Sequence, residues 1–185
     1  MQAAPAIPAA ACPESLAGAV RAIRAEAGRR LDWQRTADRV AGLLRGGLPA
    51  AAAILPPPLR RGDPSGYQSH LLHAEPDGRF SVAAMVWLPG QQTPIHDHVA
   101  WCVTAVLAGY EHEEVFALAD GGRALRLVAR NANPPGTVTG FAPPGDIHRV
   151  RNTGDGVAIS LHVYGADISR LGTSIRREYA LPVLP

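Results

Sequence analysis

The chain has 185 residues, 46% of them hydrophobic, with 18 basic residues against 16 acidic ones and a net charge of +2. That length buries one good-sized core unaided, and near-balanced charge with no long basic run argues against nucleic acid or an anionic membrane as partner. Two cysteines, Cys12 and Cys102, are too few for a disulfide framework and suit a reducing cytosol; no apolar run reaches the roughly 20 residues of a membrane span.

Residues 1–12 are Ala/Pro-rich, without a basic segment or a continuous apolar one, and read as a flexible end rather than a signal peptide. Residues 13–66 read as a helical extension and linker. Pro13-Glu14 suits a first helical turn, and Leu16, Val20 and Ile23 recur at helical spacing. Asp32 is placed to N-cap a second helix carrying Ala37, Val40, Leu43 and Leu44, stopped by Gly46-Gly47 and Pro49. Pro56-Pro57-Pro58, Gly62, Pro64 and Gly66 punctuate the connector that follows.

From Tyr67 onward short apolar or alternating runs are separated by turn residues, so the chain reads as mainly β. Candidate strands are 68–73, 79–87, 99–107, 111–117, 124–130, 137–142, 147–151 and 157–164. Many short strands at regular spacing predict a sandwich or barrel over 67–166. The tail, 167–185, carries Ile168, Leu171 and Ile175 and predicts a short helical turn before Pro182.

The run Pro94-Ile95-His96-Asp97-His98 holds two histidines at i and i+2, which share one face of an extended strand, with Asp97 on the other. Some fifty residues on, Gly145-Asp146-Ile147-His148 supplies a third. Neutral imidazole is the commonest metal ligand, and three of them read as a mononuclear metal site. His112 lies in a charged stretch and reads as a surface residue; His70 and His73 have weaker claims. Three histidines and an open position serve catalytic zinc as well as iron, so the residues alone leave the metal open.

Two motifs carry a resemblance. Gly90-(x5)-His96-x-His98-(x3)-Cys102-(x6)-Gly109 resembles the first cupin motif, with cysteine where glutamate is usual, and Pro143-x-Gly145-(x2)-His148-(x3)-Asn152 resembles the second. The resemblance implies a cupin jelly-roll β-barrel with a metal inside it. Thr93-Pro94-Ile95-His96-Asp97-His98, Gly145-Asp146-Ile147-His148-Arg149-Val150 and Ser160-Leu161-His162-Val163-Tyr164-Gly165 together resemble the cysteine dioxygenase family of thiol dioxygenases, which also lacks that glutamate. Membership would imply Fe(II) on His96, His98 and His148, and a Ser160–His162–Tyr164 relay beside it. The reaction implied is addition of both atoms of O₂ to the sulfur of a small thiol, giving a sulfinate.

Two further expectations come with the resemblance. Animal members carry a cysteine that crosslinks to the relay tyrosine, and Cys102 falls near that place with one residue fewer after His98. The plainer reading of Cys102 is a small buried apolar residue. A substrate carboxylate calls for an arginine presenting two parallel donors. Animal members place one in a Tyr-x-Arg context, whereas this chain has Tyr67-Gln68-Ser69, nearer to bacterial relatives acting on 3-mercaptopropionate with an arginine after the relay strand. Arg170, Arg176 and Arg177 lie there, and Arg177 or Arg176 is the expected partner. The substrate stays open between L-cysteine and 3-mercaptopropionate. A monomer or small homo-oligomer is expected. The rival readings are a zinc or manganese cupin hydrolase or isomerase, and a non-catalytic ligand-binding cupin.

Overall fold

The computed structural model describes residues 13–184, so the expectations for residues 1–12 lie outside the described residues. Helix α1 spans Glu14–Ala27 and α2 spans Trp33–Arg45. The Asp32 side chain accepts a hydrogen bond from the Arg35 N–H at 2.8 Å, satisfying one of the donors a helix start leaves unpaired. Leu16, Val20 and Ile23 of α1 and Ala37, Val40 and Leu44 of α2 are buried. Leu43 is exposed instead, because the buried stripe runs 37–40–41–44 and leaves it on the flank. Glu26 of α1 pairs with Arg39 of α2 and fastens the two helices. The Pro-rich connector holds a one-turn helix α3 (Ala51–Ile54) and a 3-10 turn at Pro57–Arg60.

Eleven strands follow among the described residues: β1 (Gln68–Ala74), β2 (Ser81–Trp87), β3 (His96–His98), β4 (Cys102–Ala108), β5 (Glu111–Ala119), β6 (Ala124–Asn133), β7 (Val138–Phe141), β8 (His148–Asn152), β9 (Ala158–Tyr164), and, after a one-turn helix α4 (Ile168–Leu171), β10 (Ile175–Glu178) and β11 (Val183–Leu184). One sheet has the order β1-β2-β9-β4-β7 and the other β10-β3-β8-β5-β6-β11. Pairing is antiparallel except where β11 joins β6. The two sheets face each other as a cupin jelly-roll.

Every residue of β2 and β9 is buried, because both faces of these central strands are covered. Val82, Ala84 and Val86 of β2 and Ile159, Leu161 and Val163 of β9 share one core with α1 and α2. Full burial of each valine, leucine or isoleucine among them stabilises by about 1.5–3 kcal/mol. The helical extension is therefore packed on the outer face of the five-stranded sheet. Gly140 of β7 permits the close approach: a Cβ there would lie 2.9 Å from the Ala37 carbonyl oxygen of α2. Gly109, at φ +74°, turns β4 into β5 where a Cβ would meet Ala158 Cα at 2.5 Å. The alternate residues of β9, namely Ser160, His162 and Tyr164, point into the barrel.

Two strands, β10 and β11, have no counterpart among the candidate strands, and β3 is expected only from the His96-x-His98 spacing. β3 is only three residues long, and the apolar run after it starts as β4 at Cys102, not at residue 99. β10 reads Ile-Arg-Arg-Glu, with no apolar alternation, and exists by pairing with β3. The expected helical turn of the tail is α4, and beyond it the chain adds β10 and β11 to the six-stranded sheet.

Candidate metal centre

β3 points His96 and His98 into the barrel, and His148 at the head of β8 is the direct cross-strand partner of His96. The three side chains are buried, and each offers a ring nitrogen within 4.8 Å of the other two. Ring centroids stand 4.7 Å apart for His96–His98, 4.7 Å for His96–His148 and 5.0 Å for His98–His148.

Each ring is held through its other nitrogen. His96 Nδ1 lies 3.0 Å from the Pro94 carbonyl oxygen, His98 Nδ1 lies 3.0 Å from Asp146 Oδ2, and His148 Nδ1 lies 2.7 Å from Glu113 Oε1. A carbonyl or ionised carboxylate only accepts, so in each case Nδ1–H donates and Nε2 is the nitrogen left to meet a metal. Burial pushes His96 down to about 2 and also lowers His98, where Asp146 partly opposes it. Both rings are neutral at physiological pH, as metal ligation requires. Burial would raise the Asp146 and Glu113 carboxyls, but their hydrogen bonds from His98 and His148 outweigh it and keep both below the usual carboxylate range. These residues fit a metal: three orientated nitrogen donors, and no carboxylate in the donor group among the described residues.

Asp97 points to the other side of β3, where Oδ2 accepts from the Tyr179 hydroxyl at 2.9 Å and from Arg176. The tail is thereby fastened directly to the strand that carries two of the three histidines.

A cavity of about 1250 Å³ opens on the three histidines and is lined also by Tyr67, Met85, Trp87, His162 and Tyr164. On β9 the Ser160 Oγ lies 3.0 Å from His162 Nε2, and His162 Nδ1 lies 3.0 Å from the Tyr164 hydroxyl. The Tyr164 ring centroid is 6.4 Å from that of His98. Burial pushes His162 down to about 3 and the Tyr164 phenol well above its usual range, so the pair is a neutral imidazole and a protonated phenol. Cys102 is a buried free thiol directly opposite Tyr164 across the β4–β9 pairing, raised well above the usual thiol range by burial.

The arginines are placed differently from the histidines. Arg176 and Arg177 line the cavity; Arg177 is the cross-strand partner of Asp97, and Arg176 falls at the bulge in β10. The Arg176 guanidinium bonds to Asp97, and that of Arg177 lies 4.6 Å from the centroid of the Tyr179 ring. Arg170 pairs with Asp167 at 3.0 Å.

His112 is exposed, as expected. His73 bonds to Glu75 at 3.0 Å, and His70 is buried opposite Ala84, one of the residues packed toward the helices. Glu111 and Glu113 were not singled out by sequence reasoning. The signal for them was present: in Glu111-His112-Glu113 the exposed histidine is flanked by two residues that period-two alternation sends inward.

The fold and the three-histidine group define a metal-binding cupin. The model of the family "Cysteine dioxygenase type I" matches residues 60–173, more than half of the chain, and the chain belongs to that family. It is a family of cupin-type metalloenzymes, and the enzyme class this points to is oxidoreductase. Among solved structures, a recombinant oxalate oxidase in complex with glycolate is 20% identical, covering 56% of this chain and 53% of its own, at a TM-score of 0.45. A protein from Thermus thermophilus is 24% identical, with coverage of 59% and 91% and a TM-score of 0.44. A cupin 2 conserved barrel domain protein from Salinispora arenicola is 22% identical, with coverage of 57% and 80% and a TM-score of 0.42. This chain spans about half the length of the oxalate oxidase chain it matches. No helix among the described residues is long and apolar enough to cross a membrane.

The anchoring of the rings leads to a direct expectation. Asp146→Asn should weaken metal binding about 10–100-fold, because an amide no longer holds His98 Nδ1–H as a carboxylate does. Competition of the metal-free protein against a chromophoric chelator measures it. Unchanged affinity would show that Asp146 does not orientate the ligand.

Proposed function

We propose that this protein is a mononuclear non-haem iron(II) thiol dioxygenase, adding O₂ to the sulfur of a small thiol carboxylate, L-cysteine or 3-mercaptopropionate, to give the sulfinate. One observation carries the reading: three histidines without a carboxylate ligand share a cavity with His162 and Tyr164 of a hydrogen-bonded Ser160–His162–Tyr164 chain. Iron(II) held by His96, His98 and His148 would supply the open coordination positions that bring a thiolate and O₂ together. Asp146, Glu113 and the Pro94 carbonyl orientate the three rings. Tyr164, held by His162, presents a hydroxyl to the cavity for the substrate or for oxygen.

For the substrate carboxylate the reading favours Arg177 over Arg176. Arg176 is committed to Asp97, whereas a cation–π contact such as that of Arg177 with Tyr179 is worth only about 0.5–1 kcal/mol at an exposed site. The cross-strand pairing of Cys102 with Tyr164 supports keeping Cys102 as the candidate thioether partner. A reducing, cytosolic setting belongs to the same reading.

Metal analysis after anaerobic purification tests the choice of metal. The expected result is about one iron per chain, with activity restored to metal-free protein by iron(II) and not by zinc or manganese. Stoichiometric zinc or manganese, with activity restored by either, would overturn the proposal.

A further inference from the structure

The inward face of β5 carries two carboxylates. Glu113 is accounted for by His148 Nδ1 and by the Asn131 side-chain amide at 2.9 Å. Glu111 is not. It is 3% exposed, the Ser160 hydroxyl and the Trp87 indole N–H are close enough to favour its ionised form, and its Oε1 has no hydrogen-bond partner. Trp87 comes from β2 and Ser160 from β9, across the barrel. On the neighbouring strands its pairing partners are Asn133 of β6 and Asn152 of β8. The titratable groups that act on it are Glu113, of like sign, on its own strand, and Tyr164 on β9.

The Ser160 hydroxyl is the junction. Trp87 Nε1–H can only donate and does so to Ser160 Oγ at 3.3 Å. His162 Nε2 is 3.0 Å from the same oxygen. With one position on Ser160 taken by Trp87 and one by His162, one is left for the Glu111 carboxyl, whose ionised form the Ser160 hydroxyl favours.

We propose that Glu111 is the inner end of the relay, accepting and returning one proton so that the hydrogen bonds of Glu111–Ser160–His162–Tyr164 run in either direction. With Glu111 ionised, Ser160 O–H donates to the carboxylate, His162 Nε2–H donates to Ser160 Oγ, and Tyr164 O–H donates to His162 Nδ1. With Glu111 protonated every bond reverses: Glu111 O–H donates to Ser160, Ser160 to Nε2, Nδ1–H to the Tyr164 oxygen, and the Tyr164 proton turns to the cavity. Passing from the first state to the second moves one proton. A group in the cavity gives its proton to the Tyr164 oxygen, the Tyr164 proton goes to Nδ1, the Nε2 proton to Ser160, and the Ser160 proton to Glu111.

The identity of that cavity group rests on the proposed thiol dioxygenase reading: it is the substrate thiol. Its S–H bond breaks, sulfur keeps the electron pair, and the negative charge passes from the Glu111 carboxylate to the thiolate. No oxidant or reductant is involved. Tyr164 is then left donating into the cavity when the thiolate is in place. Burial pushes the Glu111 carboxyl up to about 7, so both of its charge states are populated near neutral pH, which an ordinary carboxyl would not allow.

Glu111 acts through Ser160 and is a positioning residue, so its test needs more than lost activity. Infrared difference spectra of the full-length protein, iron(II)-loaded under anaerobic conditions and without thiol, should show a protonated-carboxyl band that disappears as pH rises through about 7. That band should be missing from Glu111→Gln. In steady-state O₂ uptake with L-cysteine or 3-mercaptopropionate, wild-type turnover should rise with pH through the same range, since the ionised form accepts the proton. Glu111→Gln should lose that rise and at least about tenfold in kcat, with KM and iron content within about twofold of wild type. Adding Ser160→Ala to it should cost no further tenfold, because the two residues act in one chain. A wild-type spectrum without a carboxyl band titrating near neutral pH overturns the proposal even if the variant does not fold. So does a Glu111→Gln protein with wild-type kcat and pH profile. Failure of the dioxygenase reading looks different: no thiol elicits O₂ uptake from wild type, while the infrared titration still decides the state of Glu111.

Discussion

His98→Ala is expected to lose stoichiometric metal binding and, with it, all turnover. The substitution removes one of three nitrogen donors where the donor group among the described residues contains no carboxylate to compensate. It also removes the ring that Asp146 holds at 3.0 Å. Weakening such an outer contact alone typically costs 10–100-fold in affinity, so loss of the ligand itself should exceed about 100-fold. The backbone N–H of His98 still donates to Asp146 Oδ2 at 2.9 Å, which keeps the carboxylate partly satisfied and favours a folded variant. Metal content measured beside the thermal midpoint of the metal-free protein separates ligand loss from misfolding. A folded variant with full metal and full activity would remove the site assignment.

Tyr164→Phe is the second large effect. Only a hydroxyl is lost, and the ring keeps its place beside Ala83 and Cys102. The hydrogen bond to His162 is worth about 1 kcal/mol of stability. A phenol that donates to the reacting groups is worth far more in rate, so turnover should fall about 100-fold or beyond with metal content unchanged. The comparison of kcat with the denaturation midpoint checks this. A variant with its turnover nearly intact, or one that loses activity only in step with folding, would mark Tyr164 as a structural residue.

Residues that obey a short-range rule were legible in the sequence. The i, i+2 spacing of His96 and His98 predicted a shared face, and the i, i+2, i+4 spacing of Ser160, His162 and Tyr164 did the same for the relay; both histidines, His162 and Tyr164 line the cavity, with Ser160 bonded behind His162. The Asp32 cap and the apolar stripe of α2 follow from helical geometry alone. Elements defined by a distant partner were not legible. β10 has the composition of an exposed tail and is a strand only because β3 presents an edge to it. Arg176 carries the charge expected for a substrate carboxylate, yet Asp97, nearly eighty residues earlier, holds its guanidinium. Glu111 and Glu113 look like a solvated charged stretch until β8 and β9 bring His148 and Ser160 against them. A buried carboxylate is tolerated only with such partners, and partners are a property of the fold rather than of the segment.

The central claim is tested most directly by O₂ consumption of the iron(II)-loaded, full-length protein with L-cysteine and, separately, with 3-mercaptopropionate, while mass spectrometry follows the product. O₂ uptake matched by sulfinate formation is expected with at least one of the two thiols. Protein shown to hold iron that consumes no O₂ and forms no sulfinate with either would contradict it.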